Sequence, residues 1–201
     1  MKEFWEERYS EEDFAYGIEP NVFLASCKEH IPKNCKALAI ADGEGRNGVW
    51  LAEQGCEVTS VDYSQAGVAK SEALAKERNV SVNALCADLT TWSWPEEEFD
   101  IVVSIFAHFP PGVREQIHNN IMKTLKPGGK LIMEAYHPRQ LEYKTGGPPA
   151  AEMMYSVDTL RDDFQTGKIL MLEDLDADVS EGKYHFGQGA VTRLILQKQM
   201  K

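Results

Sequence analysis

The sequence predicts an α/β domain of the doubly wound kind, and three observations carry that expectation. First, the apolar run 37–41 reads as a buried strand. It breaks at Gly43 and Gly45 and passes into a helical pattern through Val49, Trp50, Leu51 and Ala52, closed by Gly55. Second, four further strand-like runs follow at 56–61, 80–86, 99–104 and 130–136. Third, Asp62 and Asp88 stand just after two of those runs, at the carboxyl ends where such folds bind ligands.

At 201 residues the chain is long enough for one packed domain. We take it as 1–201, with an amino-terminal helical segment at 1–35 ahead of a core at 36–201. No apolar run reaches membrane-spanning length and no leader pattern opens the chain, so the expectation is a cytoplasmic protein with no membrane partner. A net charge of −11 argues against a nucleic-acid partner, because phosphate binding needs a basic footprint. Cys27, Cys35, Cys56 and Cys86 are scattered with no C-x-x-C pair, which predicts reduced, inert thiols and no metal site. No feature sets the oligomeric state.

Taken in order, residues 4–9 form a short helical turn rich in aromatics. Pro20 suits the first position of a helix reaching about His30, with Val22, Phe23, Ala25 and Cys27 facing inward. Ser64 caps a helix to about Asn79. Residues 90–98 are a polar loop in which Glu96, Glu97 and Glu98 read as a solvated face. Pro111 opens a helix to Leu125, with Val113, Ile117, Ile121 and Leu125 at helical spacing and His118 exposed. Residues 138–155 are a long loop, of the kind that is usually functional or disordered. Ser156 caps a short helix to Phe164. Two last strands follow at 168–175 and 189–197, with Glu181 and Gly182 punctuating between them.

Gly43-Glu-Gly-Arg-Asn47, Val61-Asp62, Ala87-Asp88-Leu89, Phe99-Asp100 and Leu125-Lys-Pro-Gly-Gly129 form an ordered set of motifs. In them the chain resembles the class I S-adenosylmethionine-dependent methyltransferases over about residues 3–136. It most resembles their small-molecule branch, the tellurite-resistance and thiopurine methyltransferases. The resemblance implies a Rossmann-like, mostly parallel seven-stranded sheet with an antiparallel C-terminal strand pair. It also implies an enzyme with S-adenosyl-L-methionine as cofactor. The amino-terminal segment would fold over that cofactor, with Arg8 near the methionine carboxylate and Tyr16 beside it. Trp5 and Tyr9 either join this lid or simply pack the helix down. Ala41, Asp42, Gly43, Gly45 and Arg46 would surround the methionine end, with Ile105. Asp62 would accept from both ribose hydroxyls, Tyr63 would lie on the adenine, and Asp88 and the Leu89 backbone would read its edge. Without the ligand, Asp62 is a strand-end turn residue and Asp88 a helix cap. The chain departs from the family at Ala39, where an acid is usual, and at Ala41, where glycine is usual. Asp42 is a candidate replacement for the missing charge.

Gly43-x-Gly45-x-x-Gly48 also reads as a dinucleotide-binding string. Asp42 and Glu44 flank Gly43, however, and a carboxylate 4 Å from a phosphate is repelled by about 1 kcal/mol even at the dielectric of water. S-adenosylmethionine has no phosphate. Methyl transfer from its sulfonium leaves the protein to position the reactants, and a soft nucleophile needs no strong base. His108, Tyr136 and His137 stand after strands four and five and could form the substrate mouth, with His185 reaching in from the C-terminal strands. His108 is either the base or a loop histidine holding a backbone hydrogen bond. Strand four is followed by Phe106-Ala-His-Phe-Pro110 rather than Asn-Pro-Pro-Tyr, which favours a small-molecule acceptor. A thiol or a chalcogen oxyanion suits such a site. Two rivals remain: a non-catalytic S-adenosylmethionine-binding protein and a nicotinamide-dependent oxidoreductase. The oxidoreductase would need a second substrate domain or a Tyr-x-x-x-Lys pair, and the sequence has neither.

Overall fold

The structure is a computed structural model and describes residues 2–200. Met1 and Lys201, the ends of the expected domain, lie outside the described residues. The amino-terminal segment supplies α1 (Lys2–Tyr9), α2 (Val22–Ser26) and a 3-10 turn at Lys28–His30. Asn21, not Pro20, starts α2: its side chain accepts the Leu24 N–H, and the helix closes at Cys27 after five residues. The inward face is therefore Phe23, Leu24 and Cys27. Val22, expected inward, is 71% exposed.

Strands and helices then alternate as β1 (Lys36–Ile40), α3 (Arg46–Glu53), β2 (Glu57–Asp62), α4 (Gln65–Glu77) and β3 (Val82–Cys86). They continue with β4 (Phe99–Ile105), α5 (Pro111–Thr124), β5 (Leu125–Tyr136), α6 (Gln140–Tyr143), α7 (Val157–Asp163), β6 (Gly167–Glu181) and β7 (His185–Lys198). All seven strands share one sheet in the order β3-β2-β1-β4-β5-β7-β6. Strands β1 to β5 are parallel, and β7 runs antiparallel to both β5 and β6. This is the mostly parallel sheet with an antiparallel end that the sequence predicted.

The central strands read as continuous apolar runs because both their faces are covered. Leu38, Ile40, Val102, Leu131 and Met133 face α5, where they meet Ile117 and Ile121. Ala37, Ala39, Ile101, Val103 and Ile132 face the opposite layer with Phe23, Leu24 and Leu51. Ser64 and Ser156 cap α4 and α7 as expected, each accepting a backbone N–H three residues on. Between β3 and β4 the chain forms no helix, and Trp92 and Trp94 pack against the core in its place.

Several expectations give way to contacts distant in sequence. The hairpin strands are much longer than expected, so Glu181 ends β6 rather than marking a loop. His118, expected exposed, is 2% exposed. Its Nδ1 lies 2.7 Å from Asp163 Oδ2 and its ring stacks on Phe164, because α7 folds over α5. Glu98 pairs with Lys36 instead of lying free in solvent. Cys35 and Cys56 are disulfide-bonded, not reduced. They directly precede β1 and β2, whose register pairs Lys36 with Glu57 and brings the two Cα atoms to 4.7 Å. Cys27 and Cys86 are free. Among the described residues no helix is long and apolar enough to cross a membrane.

Ala41 leaves β1 with φ of 47°. An L-residue in this left-handed region carries a steric cost of about 1–2 kcal/mol that glycine escapes, partly offset by the greater freedom of glycine in the unfolded chain. Ala41→Gly should therefore raise the unfolding free energy by about 1 kcal/mol, read from urea midpoints at constant slope. An unchanged or lower midpoint would show that the turn is not strained there.

Candidate cofactor and acceptor site

The strand order sets Asp88, Asp62, the glycine turn, Ile105 and Tyr136 in a row along the carboxyl edge. The crevice opens between β1 and β4, where the chain direction of winding reverses. Gly43 and Gly45 adopt φ of 57° and 89°. A Cβ on Gly43 would lie 2.6 Å from Tyr9 Oη, and one on Gly45 would overlap Ser71, so only glycine fits either position.

Asp62 is buried, and burial raises its carboxyl above the usual range. Its Oδ2 accepts the Gly43 N–H and its Oδ1 the Ser64 N–H, both at 2.9 Å. Each oxygen has a second lone pair, so the carboxylate that fixes the turn keeps acceptor capacity for ligand hydroxyls. Asp42, expected at the cofactor, holds the turn from behind. It accepts the Gly48 N–H at 3.1 Å and the Ser60 hydroxyl at 2.9 Å. Desolvation raises its carboxyl to about 7. Glu44 is turned to the Ala15 N–H and Lys70 Nζ, both at 2.8 Å. Neither carboxylate repels a phosphate directly, as the sequence had suggested. Asp42 instead occupies the Gly48 amide in the first turn of α3, a donor that a pyrophosphate would need.

Arg46 is likewise committed, with Nη2 2.6 Å from Glu181 Oε2 in a buried ion pair. Asn21 Nδ2 donates to Glu181 Oε1 at 2.7 Å and to Glu134 Oε2 at 2.6 Å, and Arg193 Nε donates to Glu134 Oε1 at 2.7 Å. Burial alone would raise the Glu181 carboxyl, but His185, Arg46 and Asn21 bring it down to about 2. Burial dominates at Glu134, whose carboxyl stays above the usual range. Sequence reasoning missed Asn21, Glu134 and Glu181. Glu134 did leave a signal, as the one acid in the apolar run 131–136.

The amino-terminal segment straps the site from one end to the other. The Glu6 carboxylate accepts from Ser64 Oγ at 2.7 Å and the Ala66 N–H at 3.2 Å, at the start of α4. Trp5 stacks on Tyr9 and approaches Tyr16, so it packs the strap together. Arg8 Nη1 donates to Tyr16 Oη at 2.9 Å, and its guanidinium lies 4.1 Å over Tyr184. Glu11 accepts from Lys183 Nζ and Tyr184 Oη at the hairpin tip. At the far end of the row Tyr63 is half-buried and Leu89 buried. Asp88 is exposed and caps no helix: its Oδ1 accepts from the Thr90 N–H and hydroxyl.

On the acceptor side Tyr136 is buried against Phe106 and His185, at ring distances of 4.6 and 5.3 Å. Tyr16 meets the same His185 at 4.4 Å. Tyr136 Oη and His185 Nδ1 are buried without a hydrogen-bond partner. Burial holds the Tyr136 phenol well above its ordinary value and pushes the His185 imidazole below its own. A Cβ on Gly146 would come within 3.1 Å of Tyr136 Oη and 3.3 Å of His185 Cδ2, so the loop 138–155 packs against this aromatic cluster.

Two expected acceptor residues stand elsewhere. His108 Nε2 accepts the Tyr136 N–H at 2.9 Å, which takes up the lone pair a base would use. Desolvation and the neighbouring His185 push it down to about 3. His108 thus makes the backbone hydrogen bond that the second of the two readings expected. His137 follows Tyr136 on the strand and so faces the other side. Its Nδ1 accepts the Arg139 N–H and its Nε2 lies 3.5 Å from Asp174. Among the described residues no group of three histidine, cysteine, aspartate or glutamate side chains could hold a metal.

A turn with two glycines at the carboxyl edge, beside an acid at the end of β2, is the arrangement the sequence motifs predicted. Residues 37–129 match the family described as methyltransferase domain. Over that stretch, just under half of the chain, the protein is similar to methyltransferases. It is 33% identical over 123 residues to the probable thiol methyltransferase 2 of Arabidopsis thaliana, covering 58% of this chain and 51% of that protein. The ubiquinone biosynthesis O-methyltransferase of Rickettsia akari is 28% identical, covering 58% of this chain and 47% of that protein. The chain thus spans about half the length of the curated relatives it matches. TehB from Haemophilus influenzae shares the fold with a TM-score of 0.73 at 16% identity, over 98% of this chain and 67% of that one. S-adenosylmethionine is the cofactor the family implies. The site's chemistry fits it: Asp62 has acceptor capacity for a ribose, and the Gly48 amide of the α3 first turn is already bonded to Asp42.

The raised Asp42 carboxyl has a consequence for stability. Folded Asp42 holds its proton up to about pH 7, whereas the unfolded side chain releases it near 3.8. Its contribution is therefore greatest below the unfolded value and is lost as pH rises through that window. Between about pH 4 and about pH 7 the urea midpoint of the wild type should fall relative to that of Asp42→Asn, which keeps an oxygen for Gly48. Parallel profiles for the two proteins would return the carboxyl to its ordinary value.

Proposed function

We propose that the protein transfers the methyl group of S-adenosylmethionine to a small thiol. The observation that carries this reading is the aromatic cluster at the ends of β4 and β5, where Tyr16, Phe106, Tyr136 and His185 meet. There, among the described residues, the buried Tyr136 hydroxyl has no hydrogen-bond partner, and the Cδ2 edge of His185 lies beside it. A chalcogen oxyanion would call for a cation aimed at it, whereas Glu181 neutralises Arg46 and Arg8 is turned to Tyr16 and Tyr184. A thiol enters without charge and suits aromatic walls. The likeness to a probable thiol methyltransferase supports the same choice.

In this reading Asp62 binds the ribose, Tyr63, Asp88 and Leu89 hold the adenine, and the turn from Ala41 to Arg46 with Ile105 cradles the methionine end. Arg8 and Tyr16 close over it. When bound, the cofactor supplies an activated methyl group, and the chain supplies alignment and exclusion of water. The Tyr136 hydroxyl, kept protonated by burial, donates to the acceptor sulfur, and His185 takes the thiol proton. We place this activity in the cytoplasm. Neither a nicotinamide cofactor nor a purely binding role gains support, since the Gly48 amide is occupied and the aromatic cluster leaves the Tyr136 hydroxyl unbonded.

Two measurements test the reading. Asp62→Ala should weaken S-adenosylhomocysteine binding by about 2–4 kcal/mol by calorimetry, the range for two hydrogen bonds to a charged group. A folded variant with unchanged affinity would withdraw the cofactor assignment. Among methyl acceptors, 2-mercaptoethanol or hydrogen sulfide should release S-adenosylhomocysteine faster than tellurite, selenite or catechol at equal concentration. Faster turnover of an oxyanion or a phenol would overturn the thiol assignment.

A further inference from the structure

Glu181 faces three partners that come from different parts of the chain. Arg46 on α3 and Asn21 before α2 clamp its two oxygens at 2.6 and 2.7 Å. The third partner is His185, whose Nδ1 lies 3.7 Å from Oε2 across the turn of the β6–β7 hairpin. The opposite edge of that imidazole carries Nε2 and Cδ2. Its Cδ2 and the Tyr136 hydroxyl border one small space beside Gly146. The ring itself is wedged between Tyr16, Phe106 and Tyr136 and has little freedom to flip.

We propose that Glu181 is a positioning residue for the acceptor site. Its clamped carboxylate keeps the proton of neutral His185 on Nδ1 and so leaves the Nε2 lone pair for the acceptor. The proposal rests on the thiol reading above. A neutral imidazole carries one N–H, and the hydrogen bond or charge on one nitrogen sets which nitrogen keeps it. An anionic oxygen beside Nδ1 favours the proton there. Arg46 holds that oxygen still and Asn21 holds the other, and together they keep Glu181 ionised. In the reaction the thiol S–H bond breaks and its proton passes to Nε2. The sulfur then forms the new bond to the methyl carbon, and the electron pair of the broken carbon–sulfur bond stays on the cofactor's sulfur. Other ionisable groups around His185 are Arg46 from α3, Arg8 from α1, Tyr16 from the strap, Tyr136 from β5 and His108 after β4. The two arginines and His108 oppose the imidazolium, which leaves Glu181 as the group that favours a proton on this ring.

The test begins in the cofactor-free protein with 15N-labelled histidine. The wild-type His185 should show the tautomer protonated on Nδ1, and Glu181→Gln should move the proton to Nε2 and lower the imidazole pKa. In turnover of 2-mercaptoethanol the same variant should lose about tenfold to a hundredfold in kcat, with the S-adenosylmethionine dissociation constant little changed. Its activity should rise only toward the free-thiol pKa of about 8.5, at higher pH than in the wild type. If Glu181→Gln does not fold, Glu181→Gln with Arg46→Gln removes both members of the ion pair and carries the tautomer measurement. A wild-type ring protonated on Nε2, or a tautomer that does not respond to the loss of Glu181, would overturn the proposal. Wild-type turnover of the thiol is a separate readout, so failure of the thiol reading and failure of the Glu181 role give different results.

Discussion

A buried chain of charge, Arg46–Glu181–Asn21–Glu134–Arg193, holds this molecule in register. Its members come from α3, the end of β6, the cap of α2, β5 and β7. Two carboxylates and two guanidiniums balance, with an amide between them. Removing one charge from such a setting leaves its partner buried and unpaired, which typically costs about 3–5 kcal/mol. Each member therefore constrains the others more strongly than a surface pair would. Asn21 has a double part: its side-chain oxygen starts α2 while its amide nitrogen joins the two glutamates. Through it the strap, the cofactor turn and the C-terminal hairpin are set relative to one another.

That frame gives the site its polarity. Acidic groups are plentiful around the glycine turn, yet almost all are spoken for. Asp42 holds the first turn of α3, Glu44 holds the strap and Lys70, and Asp62 holds the turn itself. The crevice is left with backbone, one carboxylate with spare lone pairs and the aromatic walls of the strap. The acceptor side next door is a cluster of rings from four segments, with the Tyr136 hydroxyl left unbonded. In a protein where nearly every buried polar atom finds a partner, the unbonded Tyr136 hydroxyl marks where a ligand would complete the bonding.

The alternation of the strands sorts the candidate residues. Tyr136 and His137 are neighbours in sequence, but a strand sends them to opposite faces, one into the aromatic cluster and the other to Asp174. His108 lies at the same carboxyl edge, and its ring is used to tie the end of β4 to the backbone of β5. His185 reaches the cluster from the last hairpin, the part of the chain with the weakest local signature.

The sequence by itself determined what depends on near neighbours. The apolar runs of β1 to β5, the glycine turn, the serine caps of α4 and α7 and the acids at strand ends are all set within a few residues. These features were legible, and with them the fold. Tertiary structure decided what depends on residues meeting across the chain. The burial of His118 under α7, the bond between Cys35 and Cys56, the direction of Asp42, the locking of His108 and the pairing of Arg46 with Glu181 135 residues away belong here. A buried polar group must find its partner wherever the fold brings one. Propensity and periodicity act over a turn or a strand, so they cannot say which partner that will be.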